Sequence, residues 1–313
     1  MKLNSTLEKS KYAVAPFAVL ALLSLIYDGF DNPVVLLIRM LLCLSAALFF
    51  FFATDKDNDA FIPSLAFLSI ISCNMIFLTD DIHILLSLSC FLLSLIFTGK
   101  AAILSAVFAF LCVVAQPFAV LFFVPTIVIV QFFKKNKPES IAVALVSLCA
   151  FILTKFLENT DFYADQFSSY HLAVHFVHFS NQHLEFLADF VVASIPLFAV
   201  LIFFVVSMFL KKNFVSGILT IVTALLCLYG FALSKNYHTV ALILVPVFAQ
   251  IMLMSKCEKL EDIGNSFNAF CKKHLMLFLF AVVFVAAYPI LFGPMPFNSD
   301  FFNRATFIIF RQE

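Results

Sequence analysis

The chain has 313 residues, of which 63% are hydrophobic and only 12% charged, and its mean hydropathy is +1.07. This composition excludes an ordinary soluble domain and predicts an all-α polytopic membrane protein, with residues 1–313 forming a single transmembrane domain. The formal net charge is zero, so nothing indicates a nucleic-acid partner. The expected location is a cell membrane crossed several times, as in a bacterial plasma-membrane protein.

About eleven apolar segments follow one another along the chain, and each is predicted to be a transmembrane helix. They cover about residues 12–27, 33–53, 60–78, 82–98, 101–115, 117–133, 141–157, 187–210, 214–233, 240–255 and 274–292. Residues 101–133 count as two spans, because one helix of that length would measure roughly 50 Å against a hydrocarbon core of about 30 Å. Gln116-Pro117 is therefore predicted to be a turn that brings Lys134 back to the side of Lys100.

The distribution of basic residues predicts the orientation of these spans. Fourteen lysines fall in the segments assigned to the cytoplasm if the N-terminus is cytoplasmic. The basic residues assigned to the outside are Lys155, Lys235, Arg304 and Arg311. The positive-inside rule thus favours a cytoplasmic N-terminus and a C-terminus outside. All eight cysteines lie in predicted spans or in the basic cytoplasmic loop 256–273, so no disulfide framework is expected.

Four carboxylates are predicted at the outer face. Asp28 and Asp31 follow the first span, and Asp80 and Asp81 precede the fourth. Carboxylates at a membrane edge can bind a divalent cation or act as a general base. Structural interpretations compete with this one: Asp80 and Asp81 suit the start of a helix, where acids favour the dipole, and Asp28 and Asp31 suit a turn.

Two basic residues fall inside predicted spans. Arg39 lies in the second span, and an ionisable residue there is a candidate for a functional site. Arg39 could instead reach outward and pair with Asp28 or Asp31. Lys155, near the outer end of the seventh span, has the same two interpretations.

The outer stretch 158–186 contains His171, His175 and His178, which share one helical face. Three such histidines could bind zinc, but apolar residues alternate with them, so an amphipathic helix lying on the membrane is favoured. Farther along, Lys235 and His238 could bind a phosphate group or could simply extend toward the membrane surface.

The order of these features resembles a known family. An outer acid at Asp80 or Asp81 precedes a span, a Gly99-Lys100 turn, a second span, the Gln116-Pro117 turn and a span that ends in lysines. Later, FSSYHLAVHF and HLEFLADFVVASIPLFAVL precede and enter a span with a proline, and NYHTVALILVP opens another. Over about residues 30–255 the chain resembles the membrane glycosyltransferases of the C superfamily (GT-C), in the protein-mannosyltransferase-like and aminoarabinose-transferase-like branch.

The resemblance implies a GT-C-like fold and transfer of a sugar, with inversion, from a polyprenyl-phosphate-linked donor to an acceptor at the outer face. Asp28 or Asp31 would be the general base, near a divalent cation such as Mg²⁺ or Mn²⁺. Lys235 and His238 would hold the lipid phosphate. The substrate site would also include Asp80, Asp81, Gln116 and His171. The implied partners are membrane lipid and the lipid-linked sugar donor.

Two other functions remain open at this stage. FSNQHLEFLADF resembles the outer segment of polysaccharide polymerases and ligases of the O-antigen type, although the arginine-rich outer loops of those proteins are missing. The interruption at Gln116-Pro117 is also compatible with a transporter or flippase, in which broken helices form the binding site.

Overall fold

The structure is a computed structural model that describes residues 14, 17–18, 21–22, 33–53, 81–134, 137–160, 162–164, 167, 195–233, 241–254, 260–277 and 280. Within these residues every regular element is helical, which confirms the all-α prediction. The helices are α1 (Pro33–Ala53), α2 (Ile82–Phe97), α3 (Ala102–Ala115), α4 (Ala119–Phe122), α5 (Val124–Phe133), α6 (Lys137–Phe156), α7 (Ile195–Leu210), α8 (Phe214–Leu233), α9 (Ala241–Met254) and α10 (Glu261–Lys273).

The helix bounds follow the hydropathy pattern closely. Helices α1 and α8 begin and end where the second and ninth spans were expected, and α9 is one residue shorter at each end. The expected span 117–133 instead forms two helices that meet at Phe123. Pro125 stands in the first turn of α5, where its ring and missing N–H are tolerated at a helix start but would break a continuous helix.

Helix α10 was not foreseen, because residues 256–273 were expected to form a basic loop. Its first turn carries acids and its last turn carries lysines, an order that complements the helix dipole. Ile263, Phe267 and Cys271 recur every fourth residue and form an apolar face. That face lies against α7, where the Phe267 ring is 5.1 Å from the ring of Phe204.

The centre of the bundle is an antiparallel hairpin of α2 and α3. Their connection turns at Gly99, whose φ of 75° suits glycine. Helix α1 packs on α2, α6 on α3 and α5, and α9 on α8 and α5, while α7 packs on α8 and α10. Inside, the ring of Phe91 in α2 stacks on that of Phe123 at 4.6 Å.

The bundle has two chemically different ends. At one of them, the Lys100 ammonium lies 4.6 Å above the Phe52 ring at the end of α1, and Lys134 contacts the end of α2. Helix α8 runs away from this end, since Cys227 near its far terminus contacts the Phe122 carbonyl in α4. We call this end the lysine end; it carries Lys100, Lys134, Lys137, Lys211 and Lys212. The opposite end, where α2 begins and α3 ends, is called the Asp81 end.

Two helices, α1 and α6, are long and apolar enough to cross a membrane, judged by length and composition. Six shorter apolar helical stretches accompany them in the described part of the chain. The most hydrophobic window of α1 is 61% buried, whereas that of α6 is only 28% buried. Helix α6 therefore presents most of its apolar surface to the surroundings of the bundle.

Candidate functional site

Asp81 begins α2 as its N-cap. Its carboxylate oxygen Oδ1 accepts hydrogen bonds from the backbone N–H groups of His83, at 3.0 Å, and Ile84, at 3.3 Å. These bonds satisfy two donors that have no partner within the helix. The capping interpretation of Asp81 is thus confirmed. A contact with substrate would be a second role for this carboxylate, whose orientation is already fixed by the helix start.

Gln116 ends α3 at the same end of the bundle. Its backbone is extended, its N–H donates to the Cys112 carbonyl at 3.1 Å, and its own carbonyl accepts from the N–H of Ala119 at 2.9 Å. The predicted turn is therefore present. Ser87 of α2 donates to the same Cys112 carbonyl at 2.9 Å, which ties this end of α3 to α2. Gln116 itself is 3% exposed and lies inside the protein, not on its surface.

A cluster of aromatic side chains, which the sequence did not reveal, lies beside Asp81. The ring of His83 meets the ring of Phe162 edge-on at 4.6 Å. The neighbouring hydroxyl of Tyr163 donates to the Val114 carbonyl at 3.1 Å, and burial raises the pKa of this phenol. Residues that follow α6 thus cover the junction of α2 and α3. The sequence signal that could have indicated this cluster is the aromatic stretch FYADQF, separated by four residues from the predicted span 141–157.

Lys155 is placed by two contacts near the end of α6. It forms an ion pair with Glu158, and its ammonium lies 4.6 Å from the centre of the Phe167 ring. About half of the Lys155 side chain is exposed. Its position at the Asp81 end agrees with the predicted outer location. The ion pair is an exposed one, which is typically worth less than about 1 kcal/mol.

Arg39 is deeply buried in α1, with 1% of its surface exposed. It is the largest of the fully buried side chains in the described residues. Extension of the Arg39 guanidinium to the bundle surface does not occur, and the predicted pairing with Asp28 or Asp31 falls on residues outside the described part of the chain. A buried guanidinium requires compensation from surrounding polar groups.

A buried polar network lies toward the lysine end, and the hydropathy pattern did not reveal it. The hydroxyl of Ser94 in α2 donates to the Ser105 carbonyl at 2.9 Å, and that of Ser105 in α3 donates back at 3.1 Å. From α5, the Gln131 amide nitrogen Nε2 donates to the Ser105 hydroxyl at 3.0 Å. The Gln131 oxygen Oε1 is buried without a hydrogen bond. Three helices are thus joined through Ser105.

A second polar pair joins α8 and α9. The hydroxyl of Thr223 lies 2.6 Å from the Gln250 oxygen Oε1, and both residues are fully buried. The amide nitrogen of Gln250 has no hydrogen-bond partner. Close by, the Thr126 hydroxyl of α5 reaches the Pro246 carbonyl of α9 at 3.4 Å. The interior of this half therefore also contains hydrogen-bonding groups between helices.

Most of the predicted site residues lie outside the described part of the chain. They are Asp28, Asp31, Asp80, His171, Lys235 and His238. Of the predicted set, the structure therefore describes Asp81 and Gln116, and both lie at the Asp81 end. Among the described residues, no group of three or more His, Cys, Asp or Glu side chains is arranged to hold a metal ion.

Comparisons with known proteins find no relative. No family model matches the chain, and neither the curated proteins nor the solved structures contain a significant match.

Proposed function

We propose that the chain is a multi-pass α-helical protein of the cell membrane, with about eleven spans, a cytoplasmic N-terminus and an external C-terminus. The support is the character of the exposed surface: many large aliphatic side chains point outward, while polar residues such as Ser94, Gln131 and Thr223 lie inside among the apolar core. Helix α6 is the strongest case, because Ile141 and Leu145 are more than half exposed. In water such a continuous apolar surface would promote aggregation, whereas in lipid it is the expected exterior.

The distribution of charge supports the same orientation. The lysine end carries five exposed lysines in the described residues, opposed by Glu139, Glu261 and Asp262. Within the described ranges, the Asp81 end carries Asp81, Glu158 and one lysine, Lys155. The positive-inside rule assigns the lysine end to the cytoplasm.

Cysteine labelling at the two termini of α6 tests this orientation. Lys137→Cys and Glu158→Cys each add an exposed thiol, at the lysine end and the Asp81 end. In right-side-out vesicles, a membrane-impermeant maleimide should label Glu158→Cys above the wild-type background. It should label Lys137→Cys only after the vesicles are opened. Equal labelling of both variants in sealed vesicles would rule out the transmembrane arrangement.

We infer further that the protein is a glycosyltransferase-like enzyme that uses a polyprenyl-phosphate-linked sugar donor at the outer face. The inference follows the GT-C-like order of motifs, and the observation that carries it is the shared position of Asp81 and Gln116. In sequence, Asp31 stands two residues before α1 and Lys235 stands two residues after α8. Both helix termini belong to the Asp81 end, so one end of the bundle would collect the acids and the phosphate-binding groups.

The residue roles in this proposal follow from charge and position. Asp28 or Asp31 would accept the proton of the acceptor hydroxyl, and Lys235 with His238 would stabilise the departing lipid phosphate. Asp81, already oriented by its capping bonds, would serve as a fixed carboxylate beside the substrate. A divalent cation, Mg²⁺ or Mn²⁺, would neutralise the phosphate charge if the acids bind one.

A transporter or flippase is the second candidate, and a specific observation favours it. The helix break at Phe123 faces α9, a helix that contains Pro246, and the Thr126 hydroxyl joins the two. Many transporters form a central binding site from discontinuous helices, as α4 and α5 are. Gln250, which pairs with Thr223 of α8, lies on the same helix as Pro246 and would provide a polar group along such a path.

Sugar transfer from a radiolabelled polyprenyl-phosphate donor distinguishes the two candidates. Membranes containing the wild type should incorporate label, and Asp28→Asn or Asp31→Asn should abolish incorporation at an unchanged protein level. Lys155→Gln is the matched control. It removes a charge at the same end of the bundle, but from a residue whose ion-pair partner is Glu158 and not a substrate. If no sugar is transferred but the lipid-linked sugar moves across the membrane of proteoliposomes, the result would support the transporter instead.

A further inference from the structure

The last turn of α10 combines two lysines with an exposed apolar surface. Lys272 and Lys273 close the helix, and directly beyond them Leu275, Met276 and Leu277 are exposed apolar residues. Phe270, one turn earlier, is also more than half exposed and lies 4.8 Å from the His274 ring. Two cations therefore stand at the boundary between an amphipathic helix and an apolar surface.

The other terminus of α10 is held against the bundle. The Asp262 carboxylate forms an ion pair with the Lys211 ammonium at 3.3 Å, and Phe267 packs against α7. Helix α10 thus has one face buried in protein and a basic terminus directed away from that ion pair. Amphipathic helices with lysines on the polar side typically lie in the headgroup layer of a membrane.

The geometry points to a binding surface for anionic phospholipid, formed by Lys272, Lys273 and Phe270 at the inner leaflet. Apolar residues 275–277 would lie at acyl-chain depth, which puts the two ammonium groups at the level of lipid phosphates. Each lysine near an anionic membrane surface strengthens binding about fivefold, so the pair should favour anionic over zwitterionic lipid by about 30-fold. The inference rests on the membrane placement proposed above and is independent of the enzymatic proposal.

The absence of tryptophan from the chain provides a direct test. Phe270→Trp introduces a single fluorescent reporter beside the two lysines, and Phe162→Trp introduces one at the Asp81 end, where Phe162 is equally exposed. Both proteins are reconstituted in phosphatidylcholine vesicles containing either brominated phosphatidylglycerol or brominated phosphatidylcholine. Quenching by each brominated lipid yields its relative association constant at the reporter.

At Phe270→Trp, phosphatidylglycerol should be preferred by about 30-fold, and adding Lys272→Gln with Lys273→Gln should reduce the preference to about one. At Phe162→Trp the preference should be close to one in every background. Equal constants at Phe270→Trp, or a preference unchanged by the glutamine substitutions, would overturn the proposal.

The experiment also separates this proposal from the membrane placement on which it rests. If Phe270→Trp is quenched by neither lipid, the reporter is not at the bilayer and the placement itself fails. If brominated phosphatidylcholine quenches as strongly as phosphatidylglycerol, the placement holds and the anionic preference fails. Should Phe270→Trp not fold, Met276→Trp, at an 82% exposed position, replaces it as the reporter.

Discussion

The ammonium of Lys134 donates a hydrogen bond of 3.1 Å to the carbonyl oxygen of Thr98. This contact joins the end of α5 to the end of α2, although 36 residues separate the two positions in sequence. Lys134 therefore returns to the same end of the bundle as Lys100, which confirms the reversal predicted at Gln116-Pro117. The hydrogen bond also caps an orphan carbonyl at a helix terminus.

The contact between Ser105 and Gln131 should be measurable as a coupling free energy. We expect Ser105→Ala to lower the free energy of unfolding, because it leaves the Gln131 amide nitrogen buried without an acceptor. Gln131→Leu should have a smaller effect, since it removes a buried unsatisfied oxygen together with the bond. Hydrogen bonds between membrane helices average about 0.6 kcal/mol, so the double-mutant cycle in mixed detergent micelles should give about that value. Additive effects of the two substitutions would show that the bond contributes nothing.

The turn between α2 and α3 should tolerate only glycine at position 99. Its φ of 75° costs other residues about 1–2 kcal/mol, so Gly99→Ala should destabilise the protein by about that amount. Lys212 provides the matched control, because it has a φ of 59° without being glycine. Lys212→Gly should leave the unfolding free energy unchanged or slightly higher. A loss of stability in Lys212→Gly as large as that in Gly99→Ala would contradict this account.

The two roles considered for Asp81 are separable by substitution. Asparagine is as good an N-cap as aspartate, so Asp81→Asn should retain stability, whereas Asp81→Ala should lose about 1 kcal/mol. If the carboxylate also serves the substrate site, Asp81→Asn should reduce sugar transfer at least tenfold. Thermal unfolding and the transfer assay, performed on the same membranes, distinguish these effects. Full activity in Asp81→Asn would restrict Asp81 to capping.

The thiol of Cys271 in α10 should react slowly at neutral pH. Burial raises its pKa from 9.0 to about 11, and only the thiolate is a nucleophile. Alkylation by iodoacetamide, followed at Cys271 by mass spectrometry, should accelerate about tenfold per pH unit up to about pH 11. Protein unfolded in dodecyl sulfate is the control and should reach its plateau near pH 9. A folded-state plateau at pH 9 would mean that steric exclusion alone protects the thiol.

Helix positions were largely predictable from the sequence because long apolar runs between lysines leave little freedom for their bounds. Helices α1 and α8 match the expected spans residue for residue. The turn at Gln116 was predictable for the same reason, since one helix through residues 101–133 would exceed the thickness of a bilayer. The break at Phe123 was not predicted, because the hydropathy of the segment is continuous. Pro125 disturbs only the neighbouring backbone, which a hydropathy pattern does not reveal.

The contacts between segments distant in the chain could not be predicted from the sequence. Nothing in the spacing of Thr223 and Gln250, or of His83 and Phe162, indicates that these side chains meet. Such pairs depend on which helices become neighbours, and hydropathy carries no information about that choice. Helix α10 was missed for a different reason: its lysines and acids lowered the mean hydropathy, although the apolar residues repeat with helical period.

The contact surface between α2 and α3 includes small polar side chains, with Ser87 opposite Cys112 and Ser94 opposite Ser105. Because a short turn connects the helices, these contacts can form as soon as both helices have left the ribosome. Each hydroxyl then finds a carbonyl on the other helix, so neither helix has to enter lipid with an unsatisfied group. We expect this hairpin to pass into the bilayer as one unit, and biogenesis of the chain to stall when the Ser87–Cys112 or the Ser94–Ser105 contact is disrupted.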